Sequence, residues 1–475
     1  MSVKINIDQK FLRGFFRTNF TILKNILVST IVVFLHISLT FASELHAIDK
    51  KLSKHQEVRH SDLLYPSDVV SENRYRKNYL ESSDYQKARM LYEKNVDYNL
   101  SGSRLTVSDF EHIVRFVKAY RSKKKPFWKS KKKSRYIHPD RNLLPVPVQL
   151  LSNGHVYIHF KTLDPKRKSG GYKTFSRSLD FDTGDLWAHL VVKVRRPKDA
   201  NSTLAELHIM NNLAKSSLAL SYRDVSLYAG HFSGEGDHSG YGWKINFVVP
   251  LFDHDLGIYF QNRPELAYRV WLTLIAAQSL LDVHQENYIH RDVKPGNFFV
   301  DGYMIGQRFA IADFGLTESR YDPEFGHSLS GTRGYMAPEI CERRLSKDHP
   351  MGSFQDGIDA DNFSLGMTFY SLLKGRGSRV RYLITTMNTI ALPKDKSIPP
   401  DRILFDQTLE AYKNTYNKIK PERIRSFSIQ DRAMYQYELA LWKLLNPDQD
   451  SRLTLEEFIT ELTDILEDLN IPVAA

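Results

Sequence analysis

The chain has 475 residues, is 42% hydrophobic and carries a formal net charge of +11, which allows a large buried core and about two to four domains. Such a basic surplus favours anionic partners such as nucleotide, phospholipid, nucleic acid or acidic protein without choosing among them. Cys341 is the only cysteine, so an intrachain disulfide and a cysteine-built metal centre are both excluded.

Nineteen residues without a charged side chain lie between Lys24 and Glu44, behind the basic residues Lys4, Lys10, Arg13, Arg17 and Lys24. This pattern reads as an export signal or an uncleaved membrane anchor over residues 1–43, with a buried core helix as the alternative. Residues 44–145 are polar and charged. Apolar positions recur at helical spacing over 83–96 and again at Val107, Phe110, Ile113, Val114 and Val117, so a helical and basic extension is expected here. Ser108 stands three residues before Glu111, the spacing of a capping box. Arg121 to Arg135 holds nine Lys or Arg in fifteen residues and no acid, with Phe127 and Trp128 inside it. It reads either as a solvated, self-repelling linker or as an anionic-membrane contact, and nucleic acid is the weakest of the three readings.

From about residue 146 the pattern turns to strands. Asn153-Gly154 and Asp182-Thr183-Gly184-Asp185 are turn signals between runs that predict strands over 157–162, 172–181 and 186–194. Beyond Phe252 helical periodicity dominates, including 264–283 and 453–469. The expected domains are therefore 44–145, a strand-rich unit over 146–252 and a helical unit over 253–475.

Three motifs follow in fixed order. They are His290-Arg291-Asp292-Val293-Lys294-Pro295-Gly296-Asn297, then Asp313-Phe314-Gly315 sixteen residues after Asn297, then Gly331-Thr332-Arg333-Gly334-Tyr335-Met336-Ala337-Pro338-Glu339. Asp-Phe-Gly alone is a weak tripeptide. Its place after a pair of apolar strand patterns, with Asp301-Gly302 in the expected turn, makes the set specific. Over about residues 150 to 465 the chain resembles the eukaryotic-type protein kinases, and the N-terminal third resembles no family we can name.

The resemblance implies an α+β, bilobal fold with an antiparallel small lobe and a mainly helical large lobe. It implies a Ser/Thr protein kinase that moves the γ-phosphoryl of ATP, with Mg, to a hydroxyl of a protein substrate. Asp292 stands at the place of the catalytic base and Lys294 at that of the residue that neutralises the migrating group; Asn297 and Asp313 stand at the metal-holding places. Arg291 matches an arginine that meets a phosphate or acid in the loop between the second and third motifs, where Ser319, Tyr321, Ser328 and Ser330 supply hydroxyls. Lys193 matches the strand lysine on the nucleotide phosphates, and Glu206 its helix partner. Val248 and Phe252 fall where the adenine would dock, Val248 at the gate, and Pro250 between them removes a backbone donor. Glu339 and Arg452 match a structural ion pair, and Asp361 matches an aspartate at a helix start that braces the catalytic loop.

One stretch departs from the family. Where three glycines normally surround the phosphates, the chain reads Lys166-Arg167-Lys168-Ser169-Gly170-Gly171-Tyr172-Lys173-Thr174-Phe175, with Gly170 on a motif place and Gly171 beside it. Bare amides at Gly170 and three nearby cations favour phosphate, whereas bulk at Lys173 hinders closure. A pseudokinase scaffold is the alternative function. Behind a cleaved signal in a bacterial envelope an ATP-dependent domain would meet almost no ATP. That leaves an ATP-containing secretory lumen, delivery into another cell, or an anchor with the kinase facing the cytosol, the last opposed by the basic residues ahead of the apolar run. The motif set with an unfamiliar N-terminal arm is similar to kinases that intracellular bacteria inject into hosts.

Overall fold

A computed structural model describes residues 83–97 apart from 94, then 102–103, 113, 117, 136–137, 148–150, 156–162, 173–194, 197–232, 240–262, 264–303, 305–322, 330–345, 352–375, 377–422 and 428–471. The apolar run over 25–43, the basic segment from Arg121 to Arg135, the Asn153-Gly154 turn, Gly170, Gly171 and Ser328 lie outside the described residues. Two compact units separate along the chain. In the smaller, the described residues form a two-stranded antiparallel ribbon of β1 (Val96–Asp97) and β2 (Gly102–Ser103). The larger comprises residues 82–95 and 108–475.

The larger unit opens with helix α1 (Ser83–Glu93), shorter than the periodicity suggests because Val96 and Asp97 leave the helix for the ribbon. Lys87 of α1 lies 4.0 Å over the Phe181 ring, and Asn95 donates to the Gly184 carbonyl at 2.8 Å. Ile113 and Val117 are helical and buried, as their spacing predicts.

Among the described residues, seven antiparallel strands build the small lobe. In order across the sheet they are β3 (Tyr136–Ile137), β4 (Val148–Leu150), β5 (Val156–Thr162), β6 (Lys173–Asp180), β7 (Leu186–Val194), β9 (Gly240–Pro250) and β8 (Asp224–Phe232). The turn between β6 and β7 forms where Asp182-Thr183-Gly184-Asp185 predicts it. Gly184 takes φ 76°, and the Asp180 carboxylate accepts from the amides of Asp182 and Thr183. Helix α2 (Pro197–Asn212) packs its apolar side, with Leu207, Ile209 and Met210, into the same core as Leu190, Val192, Phe247 and Val249 of the sheet.

Val248 is placed differently from its neighbours. It is fully buried in a separate cluster with Tyr157, against Trp187, while Phe247 and Val249 join the main core that also contains Ile311 and Phe314. Successive strand residues point to opposite faces, so the expectation that Val248 gates the cleft is not met; Phe247 and Val249 carry the face turned to the core.

The large lobe is helical. Its central helix α4 (Leu266–Gln285) follows a short α3 (Leu256–Tyr259) and is buried along most of its length. Among the described residues it is the one helix long and apolar enough to cross a membrane, a property shared by core helices. Around it lie α5 (Pro338–Arg343), α6 (Phe354–Lys374), α7 (Arg379–Ala391), α8 (Arg402–Lys418), α9 (Ile429–Leu444) and α10 (Leu455–Asp468). Two capping boxes, Ser353 with Asp356 and Thr454 with Glu457, fix the starts of α6 and α10. Asp361 is thus seven residues inside α6 rather than at its start, because the box begins the helix earlier than the motif suggests.

One hairpin and one short two-stranded ladder carry the site. β12 (Phe298–Tyr303) pairs with β13 (Ile305–Ile311) and on its other edge with β10 (His254–Asp255), and β11 (Tyr288–Ile289) pairs with β14 (Glu318–Ser319). Asp301 is a strand residue opposite Arg308, not part of the turn as expected. Its nearly buried carboxylate is ion-paired with Arg308, which holds it in the ladder.

Candidate active site

Burial of an apolar hairpin positions the first two motifs. Phe298 pairs with Ile311 at the base of β12 and β13, and the amide of Ala312 donates to the Asn297 carbonyl at 2.9 Å. Asn297 at the end of one loop and Asp313 at the start of the other are therefore brought together by the ladder. Asp313 adopts φ 65° and ψ 63°, a left-handed conformation that costs a non-glycine residue of order 1 kcal/mol or more and so marks a constrained place. Its side chain is exposed, whereas Phe314 after it is buried and lies 5.5 Å from the His290 ring.

His290 joins the two loops. Its Nε2 donates to the Ala312 carbonyl at 3.1 Å, and its Nδ1 accepts from the Asp292 amide at 3.3 Å. Beneath it Asp361, 1% exposed, accepts from the amide of His290 at 2.7 Å, the amide of Arg291 at 2.8 Å and His284 Nε2 at 3.0 Å. A carboxylate with three donors is thereby stabilised in the interior, and the loop ahead of Asp292 is fixed at two consecutive amides.

Asp292 is buried, with both carboxylate oxygens engaged. Thr332 donates its hydroxyl to Oδ1 at 2.6 Å, while Lys294 Nζ reaches Oδ2 at 2.5 Å and Thr332 Oγ1 at 2.9 Å. Asn297 Nδ2 donates to the Asp292 carbonyl at 2.8 Å and to Oδ2 at 3.2 Å, which leaves its Oδ1 as the oxygen available to a cation. The first and third motifs thus meet in one hydrogen-bonded set. Two hard oxygen donors, Asn297 Oδ1 and the exposed Asp313 carboxylate, suit a magnesium ion that takes its remaining ligands from phosphate and water.

Arg291 has φ 67°, and its side chain is 6% exposed in an ion pair with Glu318. Burial pulls its guanidinium below the ordinary value, and the charges of Glu318 and Asp361 oppose that shift. Glu318 was not singled out by sequence. An arginine that needs an acid was the available signal, but the contact depends on the β11–β14 register, which sets Ile289 opposite Glu318.

The scaffold ion pair forms as expected. Arg452, its side chain 1% exposed, donates through Nη1 to Glu339 Oε1 at 2.7 Å and through Nη2 to Oε2 at 3.1 Å. It also reaches the carbonyls of Asp359 and Asn446, so the buried cation has no idle side. Cys341 on α5 is buried beside this pair, and burial pushes its thiol well up, away from any reactive role.

The small-lobe candidates are placed less fully. Lys193 lies near the end of β7, opposite Lys244 of β9, and its side chain lies outside the described residues. Glu206 is buried on α2. Phe252 follows β9, its ring stacked 6.0 Å from Phe299 under the Arg308 guanidinium. The carbonyl of Leu251 accepts from Arg308 at 2.7 Å.

Comparison with known proteins agrees with this geometry. The family described as protein kinase domain matches residues 169–462, more than half of the chain. Among curated relatives, the serine/threonine-protein kinase PLK1 of Xenopus tropicalis is 35% identical over 116 residues, 24% of this chain and 17% of that protein. The probable serine/threonine-protein kinase WNK4 of Arabidopsis thaliana is 26% identical over 214 residues, 43% of this chain and 33% of its own length. The human phosphorylase b kinase gamma catalytic chain, liver/testis isoform, is 34% identical over 103 residues, 22% of this chain and 23% of its own. The chain thus spans a third or less of these relatives. With the bilobal fold and the extent of the family match, the chain belongs to the eukaryotic-type protein kinase family.

Proposed function

We propose that this chain is a catalytically active Ser/Thr protein kinase using Mg-ATP. The observation that carries the reading is the closed set of Asp292, Lys294, Asn297 and Thr332, built from two separate motifs. Asp292 would orient the substrate hydroxyl and take its proton as the phosphoryl leaves, and Lys294 beside it would offset the charge on the migrating group. Asn297 and Asp313 would hold magnesium, which when bound neutralises phosphate oxygens. The contact between Lys294 and Thr332 supports a hydroxyl-bearing protein substrate, as do the names of the curated relatives. Little covalent work is asked of the protein; positioning supplies the rate.

The rival, a pseudokinase, draws on the irregular stretch around Gly170. Purified chain should transfer labelled phosphate from Mg-ATP to a generic protein substrate. Asp292→Asn should lower that rate by about 10²- to 10⁴-fold while nucleotide binding persists. Retention of full activity by the variant, or absence of both binding and transfer in the unmodified chain, would overturn the reading.

A further inference from the structure

We propose that α1 is a strap for the small lobe: docked on the turn between β6 and β7, it holds the end of the sheet that leads into the nucleotide cleft and so sets the affinity for Mg-ATP. The proposal rests on the kinase reading above. It adds a regulatory element from the N-terminal extension, outside residues 169–462 that the kinase family matches.

An 11-residue helix is too short to persist in water on propensity alone, so α1 needs a surface to lie on. Ala88 and Leu91, three residues apart and therefore on one face, are 0% and 4% exposed, whereas Gln86, Arg89 and Met90 are open to solvent. The surface is the β6–β7 turn. Lys87 lies over the ring of the buried Phe181, and Met90 and Leu91 line one groove together with Phe181, Asp182 and Thr183.

Asn95 closes the strap. Its Nδ2 donates to the Leu91 carbonyl at 2.9 Å, one of the acceptors a helix leaves free at its C-terminus, and to the Gly184 carbonyl at 2.8 Å. Gly184 is buried in the turn, so its carbonyl needs a donor from the protein. One amide thus ends the helix and ties it to the hairpin. Asn95 also ends the first run of the larger unit, and Val96 after it begins β1 of the smaller. Whatever engages that ribbon is joined to the strap by a single peptide bond.

From the turn a series of contacts leads toward the cleft. The carboxylate of Asp180, the last residue of β6, pairs with Arg223 at 3.2 Å. Arg223 in turn lies 4.5 Å over the Trp187 ring and donates its amide to the Val248 carbonyl at 2.8 Å. Trp187 is opposite Pro250, the last residue of β9 and two before Phe252. The strap therefore braces the sheet end from which the chain enters Phe252, where adenine would dock, and not the end that carries Lys173 and Lys193. Its loss loosens adenine docking and leaves the set around Asp292 intact. Affinity falls with the fraction of molecules whose lobe is competent, so undocking that leaves about a tenth competent weakens binding about tenfold.

The test uses the full chain, with Mg-ATP binding measured by calorimetry and turnover measured on a generic protein substrate. Asn95→Asp sets a carboxylate against two carbonyls, and Leu91→Asp places a charge on the buried face. Each should raise Kd and KM for Mg-ATP by about 5- to 20-fold, with kcat and the KM for protein within about twofold. Leu91→Met and Met90→Asp, the latter at a position 62% exposed on the same helix, should leave affinity unchanged. Hydrogen exchange supplies a readout independent of activity: the amides of Asp180 and Gly184, bonded across the turn, should exchange faster in both strap variants, and that of Ala312 should not. Should Leu91→Asp not fold, Asn95→Asp decides. Unchanged Kd in the strap variants, an equal loss in Met90→Asp, or a fall in kcat in place of the rise in KM would each overturn the proposal. A chain that binds Mg-ATP with these differences but transfers no phosphate would count against the kinase reading alone, and one that binds no nucleotide would overturn both.

Discussion

Three buried charges of the large lobe and one buried amide of the small-lobe sheet are handled in opposite ways. In the large lobe Asp361, Asp292 and Arg452 are each satisfied by several partners, and those partners come from elements far apart in the chain. In the sheet of the small lobe Asn246 is fully buried, yet neither atom of its side-chain amide has a hydrogen-bond partner among the described residues; the same holds for Trp187 Nε1. Satisfied polar webs specify one geometry, whereas an unsatisfied amide adds cost without fixing a position. The loop that carries Asp292 is therefore fixed by polar contacts to Asp361 and Thr332, while the sheet is held by its ladders and by apolar packing against α2.

The sharpest break of that contrast is at Arg452. Arg452→Met leaves Glu339 as a half-buried, uncompensated carboxylate and strips the carbonyls of Asp359 and Asn446 of a donor. A loss of about 3–5 kcal/mol in unfolding free energy is expected, measured by urea titration. Lys should not rescue it, since a single ammonium cannot reproduce the bidentate fork. A loss under about 1 kcal/mol would mean that the pair is no more than a surface contact.

Asp361→Asn comes next. The amide keeps the shape but turns an acceptor into a donor, either against the amide of Arg291 or against the amide of His290 and His284 Nε2. About 2–3 kcal/mol of stability should go, and phosphoryl transfer should fall with it as the loop before Asp292 loosens. If activity is retained while stability falls, the brace serves the fold and not the site.

Much of this arrangement is legible in sequence, for reasons that can be stated residue by residue. The Asp182-to-Asp185 turn is readable because a left-handed glycine and an aspartate that caps its own turn leave local signatures. Asp292, Asn297 and Asp313 are readable because they stand in two short motifs whose spacing is set by the β12–β13 hairpin between them. Glu318 is not, because its meeting with Arg291 depends on a positive φ and on pairing between strands 29 residues apart in register, from Ile289 to Glu318. Nor is the face of Val248. The run from Phe247 to Leu251 is apolar throughout, so no alternation tells which side chain turns to the core and which to Tyr157.

On the small-lobe side, Asn246→Leu should test whether that buried amide is a cost. Replacement by an apolar side chain of similar volume should raise the unfolding free energy by about 1 kcal/mol or leave it unchanged. A clear drop would show that the amide has a partner, and its contrast with the buried charges of the large lobe would then disappear.

The smallest expected effect concerns the stretch where the chain departs from its family. Lys173 begins β6, opposite Val192, in the place where a motif glycine would let the backbone approach phosphate. Two effects compete there: side-chain bulk keeps phosphate away, and the ammonium attracts it. The cations Lys166, Arg167 and Lys168 already supply charge to the stretch, so the loss of one more should matter less than the relief of bulk. Lys173→Gly should therefore lower KM for Mg-ATP by about threefold, equivalent to ~0.7 kcal/mol, with kcat set by the large lobe left nearly unchanged. A rise in KM would mean that the small lobe binds its nucleotide by charge where its relatives rely on bare backbone. A change in kcat would mean that the small lobe, too, takes part in positioning.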